Sequence, residues 1–306
     1  MRTLPALAAS ATAAVLLLTG CTTASQDGGG AATAPADEST ALPDLSAIEV
    51  DPEVEAMVPE GVSEDGTLTV GSNLEYAPVE FVDADGKTPV GLDIDIVTAV
   101  AATMGLEADV QNAGFDSIIP AIGSKFEVGF SAFSITPERL DTVNMVSYFT
   151  AGSQLAVAKG NPDDVAPDDL CGVTVGVQTG TIQQDELGDM DKECADAGKD
   201  AIDVLPYDSQ SDVTTNLAGG KLQAMYADSP IIAYAVEQTE GSVETLGDIT
   251  DAAPYGAVVA KDDTELAKAV QAALQKLMDD GVLAEVADAW GSGEAVLGTA
   301  ELNPAG

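Results

Sequence analysis

The sequence predicts an α/β protein of two lobes, and three observations carry that expectation. From residue 67 onward the apolar pattern alternates between strand and helix. A polar, Pro-containing stretch at 159–169 interrupts it. The alternation then restarts at Val173 and ends in a strand and amphipathic helices.

Taken in order, residues 68–70 read as a strand and Asp83-Ala84-Asp85-Gly86 as a hairpin-type turn. Residues 95–104 are apolar at helical spacing and stop at Gly105. A strand at 108–111, a helix at 116–122 and a strand at 128–131 follow, and Pro137 opens another helix. Beyond the polar stretch, strands at 173–177, 202–205 and 223–227 alternate with helices at 182–187, 212–217 and 231–237. A strand at 256–260 precedes an amphipathic helix at 264–278 and a last helix near 283–290. Upstream, Asp51-Pro52 opens a short helix reaching Val58, with Asp as N-cap and Pro in the first turn.

The N-terminus has the order of a secretory signal: Arg2, then an apolar Ala- and Leu-rich run at 4–18, too short for a stable membrane span. It ends in Leu18-Thr19-Gly20-Cys21, which resembles the lipobox of bacterial lipoproteins, so Cys21 is expected to carry the lipid. The alternative is an ordinary cleavage site with an incidental Cys. No later run is long and apolar enough to cross a membrane. Residues 22–46 are Gly, Ala, Thr, Ser, Pro and Asp and read as a tether with an r.m.s. span on the order of 25–30 Å. The expected organisation is a signal at 1–20, a tether at 21–50, one lobe from 51–156 plus 254–300, and a second at 159–252.

With Cys21 lipidated, Cys171 and Cys194 remain to pair in an oxidising compartment, the alternative being two buried free thiols. The chain has 52 Asp and Glu against 11 Lys and Arg, and no His. That charge argues against nucleic acid and anionic membrane surfaces as partners. Lack of His removes the usual general base and the commonest transition-metal ligand, so neither a metal nor a cofactor is expected.

Three positions could hold one small zwitterion. Arg139, the only arginine beyond the signal, sits in the first turn of a helix, where the macrodipole disfavours a cation. It could clamp a carboxylate bidentately or simply pair with an acid such as Asp141. Gln178-Thr179-Gly180-Thr181 is a strand-to-helix turn offering donors, and it matches neither a P-loop nor a dinucleotide fingerprint. Asp228 precedes Ser229-Pro230 and could accept from an ammonium group or be an ordinary N-cap. All three fall at the carboxyl ends of predicted strands, where open α/β sheets bind ligands.

At these residues the chain resembles a family. Tyr76-Ala77-Pro78-Val79-Glu80-Phe81, Val90-Gly91-Leu92-Asp93-Ile94-Asp95, Phe115-Asp116-Ser117-Ile118-Ile119-Pro120-Ala121 and above all Ser131-Ala132-Phe133-Ser134-Ile135-Thr136-Pro137-Glu138-Arg139 are similar to segments of the polar-amino-acid-binding proteins of bacterial ABC importers. The resemblance runs from Leu68 to Trp290 and implies a periplasmic-binding-protein-like fold. Its two lobes would be joined by two crossings, near 156–159 and 253–257, and would close on ligand by hinge motion. It implies that Arg139 and the backbone at Ser134 and Thr181 take the ligand α-carboxylate. Asp228, with Ser131 or Ser134, would take the α-ammonium. Tyr76 and Phe115 would cover the ligand, where core packing is the alternative for both. Asn73, Ala132, Gln178 and Gln183 complete the expected ligand-binding set. Asn73 stands where members binding cationic amino acids have Asp, which points to a neutral or acidic ligand. Residues 143–148, Val-Asn-Met-Val-Ser-Tyr, depart from the family's Val-Asp-Phe-Ser before its Tyr.

The expected function is therefore capture of a polar L-amino acid and delivery to a permease by a monomer that touches the membrane through its lipid alone. A dehydratase-like enzyme on the same scaffold would need an acid or base, for which Glu75, Glu80 and Asp228 are the candidates. A ligand sensor is a third reading. The sole tryptophan, Trp290, is expected to report lobe closure poorly because it lies in the last helix.

Overall fold

The computed structural model describes residues 44–305. The signal run, Cys21 and residues 22–43 of the tether lie outside the described residues. Asp51 caps helix α1 (Pro52–Glu55), its carboxylate accepting from the backbone N–H groups of Glu53 and Val54 at 2.9 and 3.1 Å. Helix α2 (Glu60–Ser63) follows. Residues 44–50, expected as the end of the tether, pack on the body instead. Leu45 and Ile48 lean on the core, Val54 and Val62 are buried, and the Asp51 N–H donates to the Thr103 carbonyl at 3.0 Å. Leu45 and Ile48 are enough to dock a stretch whose average composition is polar.

The next elements are β1 (Thr67–Ser72), β2 (Glu75–Tyr76), β3 (Glu80–Val82) and β4 (Pro89–Val90). Strands β2, β3 and β4 form a small antiparallel sheet around the expected turn. Helix α3 (Leu92–Thr103) begins three residues before the expected start. Its N-cap, Gly91, adopts φ 131° and lies so close to β3 that a Cβ would come within 2.3 Å of the Val79 carbonyl. A glycine is needed there, and that close approach turns Asp93 inward among apolar neighbours. Then come β5 (Glu107–Asn112), α4 (Phe115–Ala121), β6 (Val128–Gly129) and α5 (Pro137–Thr142).

Strand β7 (Val143–Ala158) was not anticipated as a strand at all. Beyond it lie β8 (Thr174–Gln178), α6 (Ile182–Asp196), β9 (Asp203–Tyr207), α7 (Gln210–Ala218), β10 (Ala224–Asp228) and α8 (Ser229–Gln238). Strand β11 (Val243–Ala260) is far longer than the expected 256–260. Helices α9 (Thr264–Asp279) and α10 (Val282–Ala289) close the fold. Helix α9 buries Leu266, Val270, Leu274 and Leu277 at helical spacing, each side chain worth roughly 1.5–3 kcal/mol relative to exposure.

All the long strands share one sheet, in the order β5-β1-β6-β11-β7-β10-β8-β9. The outer strands form two parallel sets, β5-β1-β6 and β10-β8-β9, and the antiparallel pair β11 and β7 lies between them. Val258 and Val259 of β11 pair with β6, while residues 153–157 of β7 pair with β10. Both long strands therefore run from one set into the other, and they are the two connections of this two-lobed α/β fold. The first passage is expected near 156–159, and β7 begins to pair with β10 at Ser153. The second passage carries register shifts between Leu246, Thr250 and Ala253. Its polar residues resemble a loop, but pairing with β7 makes them strand, which is tertiary context overriding local propensity.

Cys171 and Cys194 form a disulfide with Cα atoms 5.6 Å apart. It ties the loop before β8 to the last turn of α6, in a cluster with Leu170, Val175 and Leu187. Among the described residues, no helix is long and apolar enough to cross a membrane.

Candidate functional site

Thr136 caps α5 by accepting from the Arg139 N–H at 3.2 Å, and Pro137 occupies the first turn. This fixes Arg139 with its side chain turned toward the cleft and away from Asp141. One guanidinium nitrogen donates to the Ser134 carbonyl at 2.8 Å, and the other to the Gly180 carbonyl at 3.2 Å. The guanidinium carbon lies 5.6 Å from the centroids of Phe115 and Phe133, which are stacked 4.8 Å apart. Cation–π attraction thus supports the arginine from one side. Burial lowers the Arg139 pKa, and the Asp228 and Asp185 carboxylates act against that shift. Arg139 forms no ion pair with Asp141 or any other described acid.

Asp228 ends β10 and stands in the N-cap position of α8, yet its side chain makes no cap hydrogen bond. Its carboxylate faces the cleft. Oδ2 accepts from the Tyr76 hydroxyl at 2.8 Å and Oδ1 from Gln183 Nε2 at 2.9 Å. Burial raises its pKa, opposed by these donors and by Arg139. Gln183 is held in turn by donating to Ser153 Oγ at 3.0 Å. Thr181 caps α6, accepting from the Gln184 N–H at 3.3 Å and donating to the Gln178 carbonyl at 2.8 Å, which directs the first turn of α6 into the cleft.

Tyr76, Phe115, Ala132, Ser134, Arg139, Thr181, Gln183 and Asp228 line one cavity of about 10 Å³, together with Ile182, which sequence reasoning did not name. That volume holds about one water. The remaining expected residues stand behind this lining. Ser131 Oγ donates to Glu80 Oε1 at 2.9 Å and accepts from the Asn73 N–H at 3.0 Å. Asn73 donates to the Ala113 carbonyl at 2.9 Å and accepts from Gln178 Nε2 at 2.9 Å. Ala132 sits at φ 51°, a strained conformation for a residue with a Cβ, and its N–H donates to Asp93 Oδ2 at 2.8 Å.

A layer of buried acids lies beneath the site; sequence reasoning offers Glu80 only as an acid or base candidate, gives Asp93 no role, and does not anticipate the burial of either. Glu80 and Asp93 are both fully buried. Asp93 accepts from the Tyr148 hydroxyl on both oxygens, at 2.8 and 2.7 Å. Burial raises the Asp93 pKa to about 7. Burial and the neighbouring Asp93 push Glu80 well above the usual carboxylate range, and its Oε2 has no hydrogen-bond partner. The available signal was a single charge inside an apolar run, in Val79-Glu80-Phe81 and Leu92-Asp93-Ile94. Among the described residues, no cluster of acids, cysteines or histidines could hold a metal ion.

The halves also touch around this centre. Ser209 Oγ donates to Glu75 Oε2 at 2.6 Å, and Phe81 meets Tyr234 of α8 at 6.1 Å. Trp290 packs edge-on against Phe81 at 5.9 Å. The tryptophan is therefore one ring from the seam, nearer than its place in the sequence suggests.

Residues 68–293 match the family model of bacterial extracellular solute-binding proteins, family 3. The arginine-binding protein ArgT of Corynebacterium glutamicum is 35% identical over 254 residues, covering 82% of this chain and 83% of its own length. A solved ancestral arginine-binding protein with bound arginine aligns at a TM-score of 0.67 and 32% identity, covering 74% of this chain and 98% of that one. An ancestral amino-acid-binding protein, described as a precursor of cyclohexadienyl dehydratase, aligns at 0.68 and 29% identity over 76% of this chain and 98% of its own.

Proposed function

The chain belongs to the bacterial extracellular solute-binding proteins of family 3, and from that premise we propose that it captures a polar L-amino acid and hands it to the permease of an ABC importer. The observation that carries this is the facing of Arg139 and Asp228 across one cavity, the first from the strand set of β1 and the second from that of β10. Opposite charges on opposite halves suit a zwitterion. Its carboxylate replaces the Ser134 and Gly180 carbonyls as the partner of Arg139, with the first turn of α6 as further donor. Its ammonium takes the place of the Tyr76 hydroxyl on Asp228. Ligand binding then substitutes bonds between two charged groups for bonds with one charged partner, in a site that opens and closes about the passages of β7 and β11. On this reading one lobe is 51–150 plus 254–300 and the other 153–252.

Arginine is the ligand we place first. Two of the three proteins named above are arginine-binding proteins, one of them solved with arginine bound. This departs from the neutral or acidic ligand expected from Asn73, whose carboxamide is occupied by Gln178 and Ala113. We read the chain as a binder and not an enzyme. Asp228 reaches the cavity but serves there as an acceptor for Gln183 and the ligand ammonium, and Glu80 lies behind Ser131, so neither is placed to move a proton. Cys21 carries the lipid on this proposal, and the protein works as a tethered monomer.

Calorimetric titration with L-arginine and the other amino acids tests the assignment. Arg139→Ala is expected to cost about 3 kcal/mol, on the order of a hundredfold in Kd. Equal affinities for wild type and variant would remove Arg139 from the site.

A further inference from the structure

Gln210 opens α7 and is 2% exposed, yet neither Oε1 nor Nε2 of its amide has a hydrogen-bond partner. Gln178 is as deeply buried. Its Nε2 donates to Asn73 Oδ1 at 2.9 Å and to the Asp208 carbonyl at 3.3 Å, and its Oε1 is also without a partner. Proteins keep few such groups, because each gives up hydration without a replacement bond. Nothing in the packing of α7 accounts for choosing glutamine over methionine or leucine at position 210.

The two glutamines belong to one region. Gln178 ends β8, and Gln210 follows β9 two residues after Asp208, whose carbonyl Gln178 holds. Asn73 and Glu75 approach from the other half, and Glu75 accepts from Ser209, the residue just before Gln210. Both glutamines therefore stand at the carboxyl ends of neighbouring parallel strands, next to residues that meet the other half. Gln178 is also linked to the cavity through its carbonyl, which accepts from Thr181.

Building on the amino-acid-binding reading above, we propose that Gln178 and Gln210 read the ligand's side chain and select a guanidinium. Two neutral amide oxygens offer a pair of acceptors with no charge of their own. A guanidinium presents five N–H donors in a flat fork and is weakly hydrated, so it can use both oxygens at once. A lysine ammonium is a compact, strongly hydrated charge and gains less from dispersed neutral acceptors. The two amide oxygens remain unsatisfied in the empty arrangement and accept from the preferred ligand, so their cost becomes selectivity.

The test compares wild type with Gln210→Met, nearly isosteric and without the amide, by calorimetry with L-arginine and L-lysine and by melting of the ligand-free protein. Wild type is expected to prefer arginine. The variant's arginine Kd is expected to rise about tenfold or more, its lysine Kd to change far less, and its ligand-free Tm to stay level or rise, because an unpaired buried amide has gone. Gln178→Met provides a second reading with the same expected fall in the arginine-to-lysine ratio. A wild type that does not prefer arginine, a ratio unchanged in both variants, or a lowered ligand-free Tm with both ligands weakened in parallel would overturn the proposal. Arginine binding retained in Arg139→Ala counts against the underlying site instead, so the two failures are distinguishable.

Discussion

Glu80 and Asp93 give the protein a pH signature. Both carboxyls titrate higher in the folded protein than in an unfolded chain, where a carboxylate has a pKa near 4. The folded state therefore holds more protons across that interval, and stability falls as pH rises from about 4 through about 7, where Asp93 ionises. The ligand-free protein is expected to melt higher at pH 5 than at pH 7.5. Repulsion among the surface acids has the same sign, so Glu80→Gln is the discriminating variant. It keeps an acceptor for Ser131 and should flatten the profile by stabilising the protein at pH 7.5 while changing little at pH 5. Identical slopes in the two proteins would remove Glu80 from the pH dependence. Among single residues, Arg139 and Asp228 were legible because charges at the junctions of strands and helices are unusual. Gln210 was not, because a glutamine opening a helix looks like any solvated residue until its burial is known.

Helix α6 joins the site to the disulfide. Thr181 and Gln183 in its first turn reach the cavity, and Cys194 in its last turn is bound to Cys171. Cys194→Ser is expected to cost about 3 kcal/mol in urea unfolding, the usual worth of a loop of this size. Because the bond lies at the far end of the helix, arginine affinity should be unchanged, as calorimetry can check. The shorter elements were readable from apolar periodicity and turn residues, α4, β5 and α9 most closely. The two long strands were not. Residues 243–252 of β11 are mostly polar, and they form strand only because β7 runs beside them. Pairing of that kind is set by partners distant in the chain and leaves no periodic trace in either segment.

For the molecule as a whole, the contacts Tyr76–Asp228, Asn73–Gln178, Ser209–Glu75 and Arg139–Gly180 hold the two halves together around a space of about 10 Å³. Ligand pockets are commonly 300 Å³ or more, so an amino acid can enter only when these contacts part. Each is a single polar bond worth about 1–3 kcal/mol net, which the bonds to a bound ligand can offset as the halves reclose. Trp290, packed on Phe81 and through it near Tyr234, is expected to change fluorescence when L-arginine is added to wild type and to stay constant in Arg139→Ala. The crystal structure of the protein with L-arginine tests the central claim most directly. The α-carboxylate should lie within hydrogen-bonding distance of the Arg139 guanidinium and the α-ammonium on Asp228, with Tyr76 displaced from that carboxylate. Arginine bound elsewhere, with Arg139 still on the Ser134 carbonyl and Tyr76 still on Asp228, would contradict it.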